Sequence, residues 1–417
     1  RHRPPRSEVT TRLGAYTQRW ISKVWARYCA ASKMSFRAAD SGSFSPRLFT
    51  PGPLSTTATV KAAMLVDLGS RDPAFLEALA ELRTELLALA EVGEPSYAAI
   101  PMQGSGTFAL ESALGSVVDK PSRLLILSNG AYGDRLAELA ERLRLAPVVR
   151  RVPETAPLDP ADIAAIRNEQ PQLTHLAFVH CETSTGRINP LPALCAAARQ
   201  AGLSVLVDAM SSFGATPIPM AELGIDVLVT SPNKCLQGVP GCGLVVARRA
   251  ALQPGLSPSV SLDLAAQLAG LDKTGQFRFT PPTHVLLALR QAIRELRSEG
   301  GIRARQARYQ QNATILHQGM AELGFRTLLQ GHEQSPIISA FYYPDDPRFD
   351  FQRFYTSLSG RGLCIYPGKV SSAACFRIGT IGDLHEADFV TLLAAIRDVL
   401  SEQGVAVPLV PPSRKTP

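Results

Sequence analysis

Val229-Thr230-Ser231-Pro232-Asn233-Lys234-Cys235-Leu236-Gln237-Gly238 places a lysine just past a short apolar run, 26 residues after the aspartate that ends Ser204-Val205-Leu206-Val207-Asp208. A lysine at the end of a buried β-strand can form a Schiff base with an aldehyde. A carboxylate at the end of a neighbouring strand can keep a pyridinium nitrogen protonated, so that the ring accepts electrons. Neither position decides the matter alone, because strand-end lysines are also solvated loop residues and strand-end aspartates also cap helices.

A second segment narrows the reading. Gln103-Gly104-Ser105-Gly106-Thr107 is a turn of small residues that leads into the helical pattern Phe108-Ala109-Leu110-Glu111-Ser112-Ala113-Leu114. Such a turn presents backbone N–H groups and hydroxyls to a phosphate at a helix N-terminus. Gly-Ser-Gly turns also simply join elements, so this motif counts only in company. Lysine, aspartate and phosphate turn together read as a site for pyridoxal phosphate.

Working outward, short apolar runs alternate with amphipathic stretches. Strands are expected at Arg123–Leu127, Pro147–Arg151, Thr174–His180, Ser204–Val207 and Val227–Thr230, with helices at Tyr132–Arg144, Pro160–Gln170, Pro190–Ala201 and Met220–Leu223 between them. Gly243–Ala247 reads as a further strand, with an antiparallel course open to it, and helices are expected over Asp72–Ala90 and Val285–Ser298. This rhythm implies an α/β fold whose large domain holds a mostly parallel sheet covered by helices. Ligands of such sheets collect beyond the carboxyl ends of the strands, where Ser128-Asn129-Gly130, His180-Cys181-Glu182-Thr183, Asp208 and Lys234 all fall.

The expected domains are a basic N-terminal extension over 1–45, removed or disordered, a large domain over 46–298, a smaller C-terminal α+β domain over 299–405 and a loose tail over 406–417. The formal charge of +7 sits entirely in residues 1–33, with six Arg and two Lys against one Glu, and the remainder is neutral. That location argues against a nucleic-acid partner, and no apolar run reaches the 18 or so residues of a membrane span. The arm, with an amphipathic stretch at Leu13–Cys29, fits either a mitochondrial-type presequence or, the preferred reading, an extension upstream of a start at Met34. The expected location is cytoplasmic, or mitochondrial if residues 1–33 are a presequence. Seven cysteines, without C-x-x-C spacing, read as thiols in a reducing compartment with no metal site.

Taken together, these segments resemble the class V aminotransferase group of fold-type I pyridoxal phosphate enzymes over about residues 46–400. The resemblance is carried also by Thr50-Pro51-Gly52-Pro53-Leu54, Ser128-Asn129-Gly130-Ala131-Tyr132-Gly133, Asp208-Ala209-Met210-Ser211-Ser212-Phe213-Gly214, Ile365-Tyr366-Pro367-Gly368-Lys369 and Cys375-Phe376-Arg377-Ile378-Gly379. It implies a seven-stranded sheet, pyridoxal 5'-phosphate as cofactor, Lys234 as the Schiff-base lysine and Asp208 as partner of the ring nitrogen. It further implies Tyr132 stacked on the ring, Ser105, Gly106, Thr107 and Asn233 on the phosphate, and Thr183 near the ring hydroxyl. Arg377 would hold the acidic group of the substrates, since its planar fork accepts a carboxylate and also a phosphonate. Thr280 and Arg278 correspond to a loop that reaches the neighbouring subunit's cofactor phosphate, which implies a homodimer.

The implied activity is passage of an amino group from 2-aminoethylphosphonate to pyruvate, in phosphonate catabolism. One segment departs from the pattern: Leu68-Gly69-Ser70-Arg71-Asp72-Pro73 stands where an aromatic residue and paired acids are expected, which makes Arg71 a further substrate-binding candidate. That cation leaves open a related ammonia-lyase acting on 1-hydroxy-2-aminoethylphosphonate. Alanine:glyoxylate or serine:pyruvate exchange is the other alternative.

Overall fold

Seven strands form the central sheet, in the order Tyr97–Gln103, Cys242–Arg248, Val227–Thr230, Ser204–Asp208, His175–Val179, Leu124–Ser128 and Val148–Arg151. The structure, a computed structural model, describes residues 45–409 apart from Lys120, Ser122, Gln330, Ser371 and Ser372. The basic arm with its Leu13–Cys29 stretch and the end of the tail from residue 410 lie outside the described residues. All described elements belong to the unit that begins at Pro46.

A two-residue strand β1 (Arg47–Leu48) comes first, and the sheet then draws on β2 (Tyr97–Gln103), β3 (Leu124–Ser128), β4 (Val148–Arg151) and β5 (His175–Val179). After a small hairpin of β6 (Cys181–Glu182) and β7 (Arg187–Ile188), it is completed by β8 (Ser204–Asp208), β9 (Val227–Thr230) and β10 (Cys242–Arg248). Parallel pairing joins β4, β3, β5, β8 and β9, whereas β10 runs antiparallel to both β9 and β2. β10 is therefore the one reversed strand, the course left open for Gly243–Ala247. β3 and β9 are buried along their whole length, as strands covered on both faces must be.

The seventh strand, β2, has no run of its own among the sequence expectations. Its Tyr-Ala-Ala-Ile-Pro-Met-Gln is poor in β-branched residues and contains Pro101, which cannot donate to a ladder and suits an edge strand. Helices flanking the edge satisfy its carbonyls instead: Arg83 Nε donates to Ala99 O at 2.9 Å and Gln267 Nε2 to Pro101 O at 3.2 Å. Gln267 belongs to the helix Leu264–Thr274, also absent from the sequence expectations.

Beyond the helix Gly301–Glu322 the chain forms a three-stranded antiparallel sheet. It contains β11 (Ile338–Tyr342), and its other two strands follow the short β12 (Leu363–Cys364): they are β13 (Tyr366–Pro367) and β14 (Cys375–Gly379), ordered β11-β14-β13. β1 pairs in parallel with β12, and Phe49 is buried in the same apolar cluster as Phe376 and Phe389. Residues 47–49 thus cross to the smaller sheet, and the segment after them returns over the carboxyl edge of the large one. Within the described residues no helix is long and apolar enough to cross a membrane, and no cluster of His, Cys, Asp or Glu is arranged to hold a metal.

Candidate active site

Because β2, β3, β5, β8 and β9 point the same way, the segments that leave their carboxyl ends share one edge of the sheet. The register brings Val179, Asp208 and Val229 level, so Asp208 faces the start of the Lys234 loop. Lys234 is half-buried, and its Nζ donates to Pro51 O at 2.7 Å. Gly52, at φ +108°, lies so close that a Cβ there would be 2.5 Å from Lys234 Cδ. Only glycine fits that crossing. Burial lowers the Lys234 pKa, and Arg377 acts in the same direction, against Tyr132, Cys235 and Asp208.

Asp208 is 3% exposed, and its Oδ1 accepts one hydrogen bond, from Met210 N at 2.9 Å. Burial pushes its pKa up to about 7, with Glu182 adding to the rise and Lys234 and Arg135 opposing it. A buried carboxylate with so few donors is costly unless a cationic or protonated group meets it. A protonated ring nitrogen is such a group.

The Gly-Ser-Gly end of the site is built by close packing. Helix Gly106–Val117 starts at Ser105, whose extended backbone caps it without a side-chain hydrogen bond, so the first N–H groups are left for another acceptor. A Cβ on Gly106 would stand 2.3 Å from Met210 Sδ and 3.4 Å from Ser231 Cβ. The segments carrying Asp208 and Lys234 therefore both close on this helix N-terminus. Ser231, three residues before the lysine, was not singled out in the sequence, although its place in Thr230-Ser231-Pro232-Asn233-Lys234 was a usable signal. The side chain of the adjacent Asn233 makes no hydrogen bond among the described residues, and Thr107 is half-buried on the first helical turn. Free helix N–H groups, an underbonded buried carboxylate and a lysine of lowered pKa fit the phosphate, ring nitrogen and aldehyde of pyridoxal phosphate.

A third group comes from β5, β6 and the smaller sheet. Glu182 is fully buried and accepts from Tyr132 N at 3.0 Å, Gly133 N at 3.2 Å, Ser184 N at 3.2 Å and Ser184 Oγ at 2.6 Å. It caps the helix Ala131–Arg142 from outside that helix and so fixes Tyr132, a role unseen in the sequence because the two segments are about 50 residues apart. Burial raises the Tyr132 phenol, but Lys234, Lys369, a side-chain hydrogen bond with the buried Thr183 and Arg377 outweigh it, and the net pKa is lowered. Arg377, 5% exposed on β14, donates from Nε to Pro367 O at 3.0 Å and from Nη1 to Thr183 O at 2.8 Å. One hydrogen on Nη1 and two on Nη2 remain, which still form a fork. His180, buried beside these groups, shares a hydrogen bond with Ser212 Oγ at 2.9 Å, and burial lowers its pKa to about 4.

Three candidates do not meet this cluster within the chain. Arg71 is exposed in the turn before the helix Pro73–Leu89, with no contact to Lys234, Asp208, Tyr132 or Arg377 among the described residues. Thr280 is exposed, and Arg278 is tied down locally, with Nη1 donating to Val260 O at 2.8 Å and its backbone N to Gln267 Oε1 at 3.0 Å.

Residues 77–382 match the family described as aminotransferase class-V. A 2-aminoethylphosphonate--pyruvate transaminase of Aeromonas hydrophila is 50% identical over 86% of this chain and 96% of its own length. One of Burkholderia ambifaria is 46% identical over 87% of this chain and 97% of its own. Among solved structures, ureidoglycine-glyoxylate aminotransferase of Bacillus subtilis superposes with a TM-score of 0.79 at 25% identity, covering 87% of this chain and 95% of that one. With a sheet of fold-type I topology and a lysine and aspartate set at its carboxyl edge, the chain belongs to the class V aminotransferases, pyridoxal phosphate-dependent enzymes.

Proposed function

We propose that this enzyme transfers the amino group of 2-aminoethylphosphonate to pyruvate, forming phosphonoacetaldehyde and L-alanine. The observation that carries the reading is Arg377, a buried guanidinium beside Tyr132 and Lys234 whose Nη1/Nη2 end has no acidic partner among the described residues. A planar fork in that position suits the acidic end of a small substrate. The relatives at 46–50% identity, named for this reaction, support the choice of amine and acceptor.

When bound, pyridoxal phosphate supplies an aldehyde that condenses with amines and a ring that accepts electrons. Lys234 holds the cofactor at rest. Once displaced by the substrate amine, its Nζ would take a proton from the amine-bearing substrate carbon and deliver it to the carbon that began as the cofactor's aldehyde, and its lowered pKa keeps more of it neutral for that work. Asp208 holds the proton on the ring nitrogen. Tyr132 would orient the ring, Thr183 would meet its hydroxyl, and Ser105, Gly106, Thr107, Ser231 and Asn233 would hold the phosphate. Arg377 binds phosphonate and carboxylate in turn, as a two-stage exchange through one pocket requires.

Thr280 and Arg278 serve the site of a second copy in a homodimer. Exposed Phe108, directly after the phosphate turn, and exposed Phe279, directly before Thr280, support such a contact. The cofactor domain is assigned to 46–298 and the smaller domain to 299–405, with residues 47–49 packed on the latter.

The test is incubation of the cofactor-loaded enzyme with 2-aminoethylphosphonate, with and without pyruvate, while alanine, aldehyde and ammonia are assayed. Alanine and aldehyde should form in equal amounts and only with both substrates. Ammonia released without pyruvate would replace the proposal by an ammonia-lyase, and activity restricted to alanine with glyoxylate would replace the amine.

A further inference from the structure

Lys369 is held over Tyr132 by a tight turn that also holds Arg377. Its Nζ lies 4.1 Å from the centroid of the Tyr132 ring, a cation–π contact. Two residues earlier, Pro367 O accepts Arg377 Nε at 3.0 Å. Between them a Cβ on Gly368 would stand 2.3 Å from Cys375 O, so the turn is pinned to the strand that carries Arg377. Among the described residues Lys369 has no carboxylate partner. Of the two nearby buried acids, Glu182 is met by the N–H groups of Tyr132, Gly133 and Ser184, and Asp208 by Met210 N. The half-buried Lys369 and the buried Arg377, neither ion-paired to a carboxylate among the described residues, favour an anion between them.

We infer that Lys369 is a second anion-binding group of the substrate pocket and selects a phosphonate over a carboxylate, Arg377 serving both. Oxygen count gives the reason. Arg377 has Nε spent on Pro367 and one Nη1 hydrogen spent on Thr183, so the hydrogens left on Nη1 and Nη2 receive two oxygens, which is all a carboxylate has. A phosphonate brings a third oxygen and up to about two negative charges, as phosphate groups do, and these fall to Lys369. The inference deepens the proposed function and replaces Arg71 as the extra cation of the pocket.

The test uses the cofactor-loaded enzyme and its Lys369→Met and Lys369→Arg variants, with methylphosphonate and acetate titrated separately as competing ligands. In Lys369→Met the preference for methylphosphonate over acetate should fall about thirtyfold, the worth of one charge-assisted hydrogen bond, and Lys369→Arg should recover part of it. A preference within about threefold of the wild type in Lys369→Met would overturn the inference and leave Lys369 as a support for Tyr132. If Lys369→Met does not retain the cofactor, Lys369→Gln is judged by the same ratio. Binding needs no turnover. A wild type that forms no alanine from 2-aminoethylphosphonate therefore sinks the function proposal, while the ligand ratio still decides the role of Lys369.

Discussion

Asp208 at the end of β8 and Glu182 just past the adjacent β5 are both buried carboxylates with raised pKa values, yet their surroundings differ. Glu182 accepts three backbone N–H groups and one hydroxyl, whereas Asp208 accepts a single N–H among the described residues. A carboxylate that serves the architecture arrives with its donors, because an unmet buried acceptor costs about 1–3 kcal/mol. One that serves chemistry is left short of donors, and the missing partner is the ligand. On the function proposed above, the same edge of the sheet carries a structural side, at Glu182 and Tyr132, and a chemical side, at Asp208 and Lys234.

The largest effect falls on the chemical side. Lys234→Ala should lower kcat by at least about 10²–10⁴-fold, the range for loss of a general acid–base, while the fold is retained. In the wild type, borohydride reduction followed by peptide mapping should find the pyridoxyl label on the peptide containing Lys234. A label on another lysine would remove Lys234 from its role.

Asp208→Asn keeps the shape and removes the charge. Turnover should fall about 10²–10³-fold, as for loss of one preorganised electrostatic group. The cofactor-free protein should respond in the opposite sense. With a folded pKa of about 7 against an ordinary value of 3.8, Asp208 binds its proton more tightly when folded, so its contribution to stability is present at low pH and is lost as pH rises through about 7. The Asn variant lacks that loss, and its melting temperature relative to wild type should be higher at about pH 8 than at about pH 5. A difference that shrinks as pH rises would show that Asp208 has a cationic partner within the protein.

Glu182→Gln sharpens the contrast with the smallest expected effect on chemistry. An amide offers one acceptor oxygen where four donors converge, so unfolding by denaturant should show a loss of about 1–3 kcal/mol. The fall in turnover should be smaller than that of Asp208→Asn. If instead the two substitutions cost turnover equally and stability not at all, Glu182 belongs to the chemical side.

Much of this was readable in advance where residues act through their own neighbours in the chain. Alternating apolar runs placed most of the strands, and Lys234, Asp208, Tyr132, Thr183 and the Gly-Ser-Gly turn lie within a few residues of a strand end. β2 escaped because Pro101 and its alanines weaken the local signal, and its strand character comes from pairing with β10. Pro51 and Gly52 escaped as members of the Lys234 surroundings because 183 residues separate Pro51 from the lysine whose Nζ it receives.

By itself the sequence determined the α/β alternation and the places of Lys234, Asp208 and the Gly-Ser-Gly turn at strand ends, since each depends on local periodicity or on a residue at a strand end. Only the tertiary structure decided which groups surround them: Glu182 under Tyr132, Pro51 on Lys234, Lys369 tied to Arg377, and Arg71, Arg278 and Thr280 away from the cluster of their own chain. The physical reason is that burial and hydrogen-bond supply are properties of a three-dimensional neighbourhood. Two aspartate- or glutamate-bearing strand ends that look alike in sequence become an anchored carboxylate and an underbonded one only when the chain closes around them.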